Sequence, residues 1–436
     1  MKEFIRRCVV KILTLESKAV VRKYRPHIVV VTGSVGKTSS KDAAFTALSA
    51  QYFVRRSEKS FNSDIGAPLT VLGIPNGWSN PVRWLRNIID GIFLIIMRAP
   101  YPAWLIVEVG ADRPGDISKS LSWLKPEVVV ATRFPATPVH VEFYDSPEEV
   151  QREELAPLSW LKPGGIAVIN ADDEVLQNAT VPDGVEIVRY GIHENADVRA
   201  LRIKITATKG VATGISFDVS HRGEKVHITL RSVVGLQHVY AALAGIAAAV
   251  AVGVPLEKMK DAFETHSSAR SRMRLIDGIR GSLIVDDTYN SSPVAAEQAL
   301  MTLSEMPAPT RSTGERARKI GVFGDMLELG SYSVIEHERI GRIARDVVDV
   351  LVTVGVRARG MAEAARKAGL PENQILMFDR GQDAEEHLAT MIERGDTILI
   401  KGSQGVRLEK VVKKLMAHPE DAPRLLCRQD AEWLMR

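Results

Sequence analysis

Apolar and polar positions divide the chain into three textures. From Pro26 to Asn170, short continuous apolar runs rich in Val and Ile alternate with longer amphipathic stretches: His27 to Thr32, Tyr52 to Arg55, Trp104 to Val109, Glu127 to Thr132 and Ile166 to Asn170. Uninterrupted runs of this length mark strands covered on both faces, so the pattern predicts a parallel sheet wrapped by helices. Ser146-Pro147-Glu148-Glu149 opens one of those helices as a capping box with proline at its first position. Between Val185 and Leu230 the period changes to strict alternation, as in Ala200 to Ala207 and Gly214 to Val219, with Arg222-Gly223 as a hairpin turn. An antiparallel sheet is expected there. The Ala-rich helix Val239 to Val252 then ends near Gly253 and Pro255. After the polar stretch His266 to Arg274, strand patterns resume at Ser282 to Asp286, Lys319 to Phe323, Val350 to Val354 and Thr397 to Ile400. The expected fold class is therefore α/β: a central parallel-sheet domain with an appended antiparallel sheet, followed by a Rossmann-like α/β domain. The expected divisions are 1–27, 28–268 and 269–436, with Glu305 to Arg318 as a mobile loop.

Composition narrows this picture in two places. The 436 residues contain two cysteines, Cys8 and Cys427, at opposite ends, which leaves no disulfide framework or cysteine-based zinc site and fits a reducing cytoplasm. The net charge is +4, yet residues 1–25 hold eight Lys/Arg against two Glu, so the basicity is local and is no nucleic-acid footprint. That segment, with Phe4, Ile5, Cys8, Val9, Ile12 and Leu13 among Lys2, Arg6, Arg7 and Lys11, reads as a basic amphipathic helix; charges interrupt any signal-peptide core. A second apolar segment, Ile88 to Met97, is interrupted by Asp90 and Gly91 and is too short to span a bilayer. It is either a helix packed on the core or a membrane-surface face. Peripheral membrane contact stays open.

The chemistry concentrates where Val29-Val30-Val31 breaks into Thr32-Gly33-Ser34-Val35-Gly36-Lys37-Thr38-Ser39. A buried strand running into a glycine turn and then a helix is a phosphate cradle: backbone N–H groups of Gly33, Ser34, Val35 and Gly36 can close on an anion at the helix's positive end. Lys37 would act as a point charge on the outer phosphates and the Thr38 hydroxyl as a Mg²⁺ ligand. Glu108 ends a strand, where a carboxylate stands over the crevice and can hold a cation. His140 follows the next strand and is either a ligand or a satisfied surface or core group. Asp286-Asp287-Thr288-Tyr289-Asn290 ends another strand, either for ribose hydroxyls or a cation, or as a capping turn before Pro293. Arg270, Arg272 and Arg274 lie at the domain junction, where a cation can reach phosphate or form a solvated linker.

Taken in order, these stretches resemble the Mur ligase family, whose nucleotide loop, shared with folylpolyglutamate synthases, has the same shortened G-x-x-G-K-T form. Further matching runs are Asn62-Ser63-Asp64-Ile65-Gly66, Glu108-Val109-Gly110-Ala111 with Pro114-Gly115, His140-Val141-Glu142, Arg272-Met273, Gly324-Asp325-Met326-Leu327-Glu328-Leu329-Gly330 with His337, and Lys401-Gly402-Ser403. The resemblance implies ATP-dependent amide formation through an acyl phosphate, with ATP and Mg²⁺ as cofactors. Lys37 and Thr38 would hold phosphates and the first Mg²⁺, Glu108 would share that ion, and His140 would serve a second. Arg272 and Asp287 match the family's nucleotide-contacting arginine and ribose-contacting aspartate. His238 and Asn290 complete the nucleotide set, and Asp325, Lys401 and Ser403 are candidates for the substrate side. Three departures accompany the match. The family's UDP-sugar-holding first domain has no counterpart beyond the segment before Pro26. Its carbamylated lysine falls by ungapped counting on Glu154, with Glu153 adjacent. Its adenine-side H-N-x-x-N appears as Gln237-His238-Val239-Tyr240-Ala241. The expected activity is a cytoplasmic, monomeric ligase joining an amine such as D-Ala-D-Ala to a peptidoglycan-type peptide precursor. The alternatives are a family ligase for another cell-envelope or polyglutamyl-type acceptor, and a nucleotide-binding protein that has lost catalysis.

Overall fold

The computed structural model describes residues 3–57, 65–78, 80–110, 114–135, 143–311 and 313–435, with backbone alone at 3–5, 431 and 432. His140 and the stretch Asn62-Ser63-Asp64 lie outside the described residues. The first nine strands, β1 (His27–Thr32), β2 (Val54–Arg56), β3 (Trp104–Glu108), β4 (Val128–Ala131), β5 (Ile166–Asn170), β6 (Glu186–Gly191), β7 (Val198–Thr208), β8 (Val211–His221) and β9 (Glu224–Arg231), form one sheet. Its order is β2-β3-β1-β4-β5-β6-β7-β8-β9. Pairing is parallel from β2 through β7 and antiparallel across β7, β8 and β9. The alternating strands thus extend the parallel sheet at its edge. At the β8–β9 turn Arg222 and Gly223 both have positive φ, 48° and 86°, the twist a tight hairpin requires.

β1 sits inside the parallel part and is buried from Ile28 to Thr32. One face of the sheet packs on the helices Lys37–Ser49 and Leu236–Ala251. These two helices meet at Gly245, where an added Cβ would overlap the backbone of Ala43, so their alanine content brings the axes close. On the other face, the N-terminal helix Glu3–Tyr24 contributes Val9, Leu13 and Val20 to the core cluster that holds Val30, Leu105 and Val129. The basic N-terminal residues therefore ride on a helix packed against the helices that cover this face of the sheet.

The second sheet has strands β10 (Arg274–Asp277), β11 (Leu283–Asp287), β12 (Lys319–Gly324), β13 (Val350–Val354), β14 (Ile375–Phe378) and β15 (Thr397–Lys401), ordered β10-β11-β15-β12-β13-β14. All pairs are parallel except β10–β11. Core clusters lie on both faces. The two sheets are stitched together where Leu275 N–H donates to the Ser232 carbonyl at 2.9 Å and Val234 N–H to the Met273 carbonyl at 3.1 Å. The loop expected to be mobile is tethered. Arg311 and Arg318 both pair with Asp396, whose side chain is fully buried, and Thr310 bridges Arg316. Its prolines and charges suggested freedom, but the partner lies far along the chain.

Candidate active site

The nucleotide loop grows directly out of β1. Gly33 has φ 124°, and a Cβ there would overlap the Thr132 hydroxyl, so the turn accepts glycine alone. Ser34 and Val35 donate their N–H groups to the Arg133 carbonyl at 2.9 and 3.2 Å, which ties the loop to the end of β4. Gly36, with φ 92°, precedes the helix Lys37–Ser49, whose first turn buries Thr38 and Ser39. The Lys37 ammonium folds back to donate to the Gly33 carbonyl and stands 3.5 Å from Glu154 Oε1. Ser34 Oγ donates to Glu154 Oε2.

Helix phase separates the two adjacent acids. The helix Pro147–Ser159 starts at Ser146, whose side chain accepts from Glu149 N–H, with proline at its first position. Successive residues then point about 100° apart. Glu154 is 3% exposed and faces the nucleotide loop. Glu153 turns away and accepts from Ile117 N–H at 3.1 Å, at the start of the helix Asp116–Leu124. A charge-assisted bond at a helix N-terminus is a structural use of an acid.

Thr38 Oγ1 donates to Glu108 Oε1 at 3.0 Å, and Arg272 Nη2 reaches Thr38 Oγ1 at 3.3 Å. Arg272 also stacks over the Tyr289 ring, 4.1 Å from its centroid, so a residue of the junction stands beside the loop. Glu108 is 3% exposed, and its Oε2 has no hydrogen-bond partner. Lys41 Nζ stands 3.7 Å from that oxygen and donates to the Ser57 carbonyl at 2.9 Å. A buried carboxylate oxygen left over beside a hydroxyl oxygen is a donor set suited to a hard cation such as Mg²⁺. Among the described residues no group of three His, Cys, Asp or Glu side chains gathers to hold a metal.

His238 is buried and its Nε2–H donates to the Arg272 carbonyl at 2.8 Å. Burial pushes its pKa down to about 4, so it is a neutral support for the Arg272 backbone. At the end of β11, Asp287 accepts from Lys401 Nζ at 2.6 Å and from Met273 N–H at 3.1 Å, which engages both carboxylate oxygens. Lys401 also donates to the Asn290 carbonyl at 3.0 Å, and Asn290 Oδ1 accepts from Gln404 N–H at 3.4 Å. Ser403 Oγ accepts from Leu327 N–H at 2.9 Å and donates to the Ser291 carbonyl at 3.3 Å. Asp325 Oδ1 accepts from Ala358 N–H at 2.7 Å, and its carbonyl accepts from Ser403 N–H at 3.0 Å. Asp287, Asn290, Asp325, Lys401 and Ser403 thus form one polar junction at the carboxyl ends of β11, β12 and β15.

Two contributors had no signal in the sequence. Lys41 reads as an ordinary helix lysine, yet it is 0% exposed beside Glu108. Arg428, near the C-terminus, is buried, donates to the Thr288 carbonyl at 3.2 Å and to Glu409 Oε2 at 3.2 Å, and lies 5.5 Å from the Tyr289 ring centroid. The tail thereby braces the loop that carries Tyr289.

Comparison with known proteins agrees with this layout. The Mur ligase middle domain matches residues 94–249, and the Mur ligase glutamate ligase domain matches residues 271–404. The chain belongs to the Mur ligase family. Among its relatives, the UDP-N-acetylmuramoyl-tripeptide--D-alanyl-D-alanine ligase of Bacillus subtilis (strain 168) is 27% identical over 412 residues, covering 92% of this chain and 79% of that one. The enzyme of the same name from Escherichia coli (strain K12) is 26% identical over 404 residues, with the same coverage of each chain. The MurF ligase from Thermotoga maritima, solved in complex with ADP, superposes with a TM-score of 0.74 at 22% identity over 95% of this chain and 84% of that one. This last likeness speaks for the Mur ligase fold alone.

Proposed function

We propose that this Mur ligase is a MurF-like, ATP-dependent, ADP-forming amide ligase of peptidoglycan precursor synthesis. Its acyl substrate is a UDP-MurNAc-tripeptide-type carboxylate and its amine is D-Ala-D-Ala. The names of the Bacillus and Escherichia relatives support the substrates. The observation that carries the chemistry is the meeting of Lys37, Thr38, Glu108 and Arg272, drawn from both parts of the chain, around one glycine turn. The free cysteines suit a cytoplasmic setting.

A carboxylate is a poor electrophile because oxide is a poor leaving group. Its oxygen attacks the γ-phosphorus of ATP, ADP leaves, and the acyl phosphate then loses phosphate when the amine nitrogen bonds to the acyl carbon. The Ser34 and Val35 amides, expected to face the anion, are engaged by the Arg133 carbonyl, so the Lys37 ammonium and the amides at Gly36 and the start of the following helix hold the phosphates in line. Thr38 Oγ1 and Glu108 are the residues to hold Mg²⁺, which when bound neutralises charge on the transferring phosphoryl group; His140 and Glu154 are assigned to a second ion by the family pattern and by counting. Arg272, steadied by Tyr289 and by His238 under its carbonyl, places a fixed cation beside Thr38. Glu154 sets the position of Lys37 through its carboxylate.

Phosphate release with UDP-MurNAc-tripeptide plus D-Ala-D-Ala tests the reading, run against lipid-linked and free-peptide acyl substrates. Turnover that needs both named substrates supports it. Turnover with another acyl substrate only would make this a Mur ligase of different acceptor, and nucleotide binding without turnover would make it a degenerate binder.

A further inference from the structure

Among the described residues, the segment 81–98 gathers a run of exposed large apolar side chains. The helix Pro81–Ile96 starts cleanly: Asn80 accepts from Arg83 N–H at 3.1 Å, and Pro81 fills the first helical position. Its inner side is locked. Trp84, Asn87 and Gly91 are buried, Trp84 Nε1 donates to the Trp78 carbonyl at 2.9 Å, and Asn87 donates to the Pro75 carbonyl at 2.8 Å. Its last turn is held from the N-terminal helix, where Lys23 donates to the carbonyls of Leu94, Ile95 and Met97, and Tyr24 to that of Leu94. A cation on the terminal carbonyls also opposes the helix dipole.

With that orientation fixed, Val82, Leu85, Ile89, Ile92, Phe93 and Ile96 are presented outward, each between 42% and 73% exposed. At 100° per residue they occupy one arc of about 100°. Six large apolar side chains on one arc exceed what a soluble surface leaves uncovered without use. On the N-terminal helix, which packs against the inner side at Gly91, Ile12 and Leu15 are also exposed, at 40% and 58%. Arg86 and Arg83 line one side of the arc, where Arg86 stands 3.9 Å from Asp90, and Arg98 follows it. Residues 1–25 carry a net +6 and residues 81–98 a net +2, while the whole chain carries +4. The net positive charge of the chain is therefore concentrated in the two segments that pack together where the apolar arc is exposed, with Lys23 placed at the end of the arc-bearing helix.

We propose that this face docks on an anionic lipid bilayer, with the arc of the helix Pro81–Ile96 sunk to headgroup depth and the flanking cations on the lipid phosphates. No described helix is long and apolar enough to cross a membrane, so the contact is peripheral. A second copy of the chain would bring the same positive face against itself. A bilayer containing acidic lipid complements both the apolar arc and its charged rim. The inference stands on this surface and does not rest on the ligase reading.

Co-sedimentation of the full chain with vesicles of phosphatidylcholine alone, or with about 30% phosphatidylglycerol, tests it. Binding should be at least about tenfold tighter to the acidic vesicles and should weaken as salt is raised. Phe93→Ser with Ile89→Ser should weaken it about tenfold or more at unchanged melting temperature. Should that variant fail to fold, Arg83→Ala with Arg86→Ala should give about a tenfold loss on acidic vesicles alone. Absence of binding to acidic vesicles, or equal binding by the variants, would overturn the proposal. So would a dimer in lipid-free sedimentation that the same substitutions dissociate, because a second copy would then be the occupant.

Discussion

The two sheets differ at their carboxyl edges in how tightly their charges close on one another. At the edge of the nine-stranded sheet, charged side chains converge on a glycine turn with polar atoms to spare: Glu108 Oε2 and Arg272 Nε are buried without hydrogen-bond partners. At the edge of the six-stranded sheet, Asp287 and Lys401 close on each other at 2.6 Å and on neighbouring backbone. Parallel α/β topology builds a crevice in both places. What differs is how closely the charges are paired: Lys41 and Lys37 stand 3.7 and 3.5 Å from Glu108 and Glu154, whereas Lys401 closes on Asp287 at 2.6 Å, and that decides whether an edge can hold a ligand or locks a fold. The six-stranded edge is not fully closed: Asp286 Oδ2 and Arg274 Nε, on paired residues of β11 and β10, and Thr353 Oγ1 of β13 are buried without hydrogen-bond partners, and burial pushes the Asp286 pKa up to about 6.

Substitution of one lysine at each edge would break the comparison if it is wrong. Lys37→Ala should lower phosphate release about 10³-fold or more with an unchanged melting curve, because its ammonium stabilises transferring charge and fills little apolar space. Lys401→Ala should do the reverse, costing about 3–5 kcal/mol by leaving Asp287 a buried unpaired charge. Its readout is the thermal unfolding of the C-terminal half. A Lys401→Ala protein that melts like the wild type but no longer turns over would move that edge to the ligand-holding side.

A smaller effect sharpens the picture at Glu154. Glu154→Gln keeps the side-chain shape and removes the charge facing Lys37, so half-maximal turnover should need about tenfold more Mg²⁺, and omission of bicarbonate should leave the wild type unaffected. An unchanged Mg²⁺ response, or strong bicarbonate dependence, would leave Glu154 as a structural acid. This residue also shows what a sequence can disclose. The glycine turn, its Lys-Thr and the Ser146 cap are local signals, and counting along the capped helix brings the reader to Glu153 and Glu154. Choosing between them needs the helix's rotation, which Ile117 and Ser34 report only in three dimensions. Lys41, Arg428 and the Asp396 clamp on Arg311 and Arg318 join residues remote along the chain, so no local period announces them. The segment Ile88 to Met97 was legible as apolar, but periodicity could not say that only its inner side would be covered.

The smallest predicted effect separates a spare carboxylate oxygen at a site from one that is merely confined. Glu16 Oε2, like Glu108 Oε2, is buried without a hydrogen-bond partner, but it faces Gly91 of the outer helix, where an added Cβ would overlap it. Among the described residues no hydrogen-bond partner reaches this oxygen, and loss of solvation raises the Glu16 pKa from 4.5 to about 7. The sign follows from proton counting. Between about pH 4.5 and 7 the folded chain binds more protons at Glu16 than the unfolded chain, so stability falls as pH rises through this window and the loss is complete above it. Glu16→Gln removes the ionisation and should melt roughly 2–4 °C higher than the wild type at pH 8, the effect of about 1 kcal/mol in a domain of this size, while matching it near pH 5. Nucleotide-dependent turnover should not change. Equal melting temperatures of the two proteins at pH 8 would mean that Glu16 finds compensation as an anion, and a loss of turnover would mean that the spare oxygen serves the site after all.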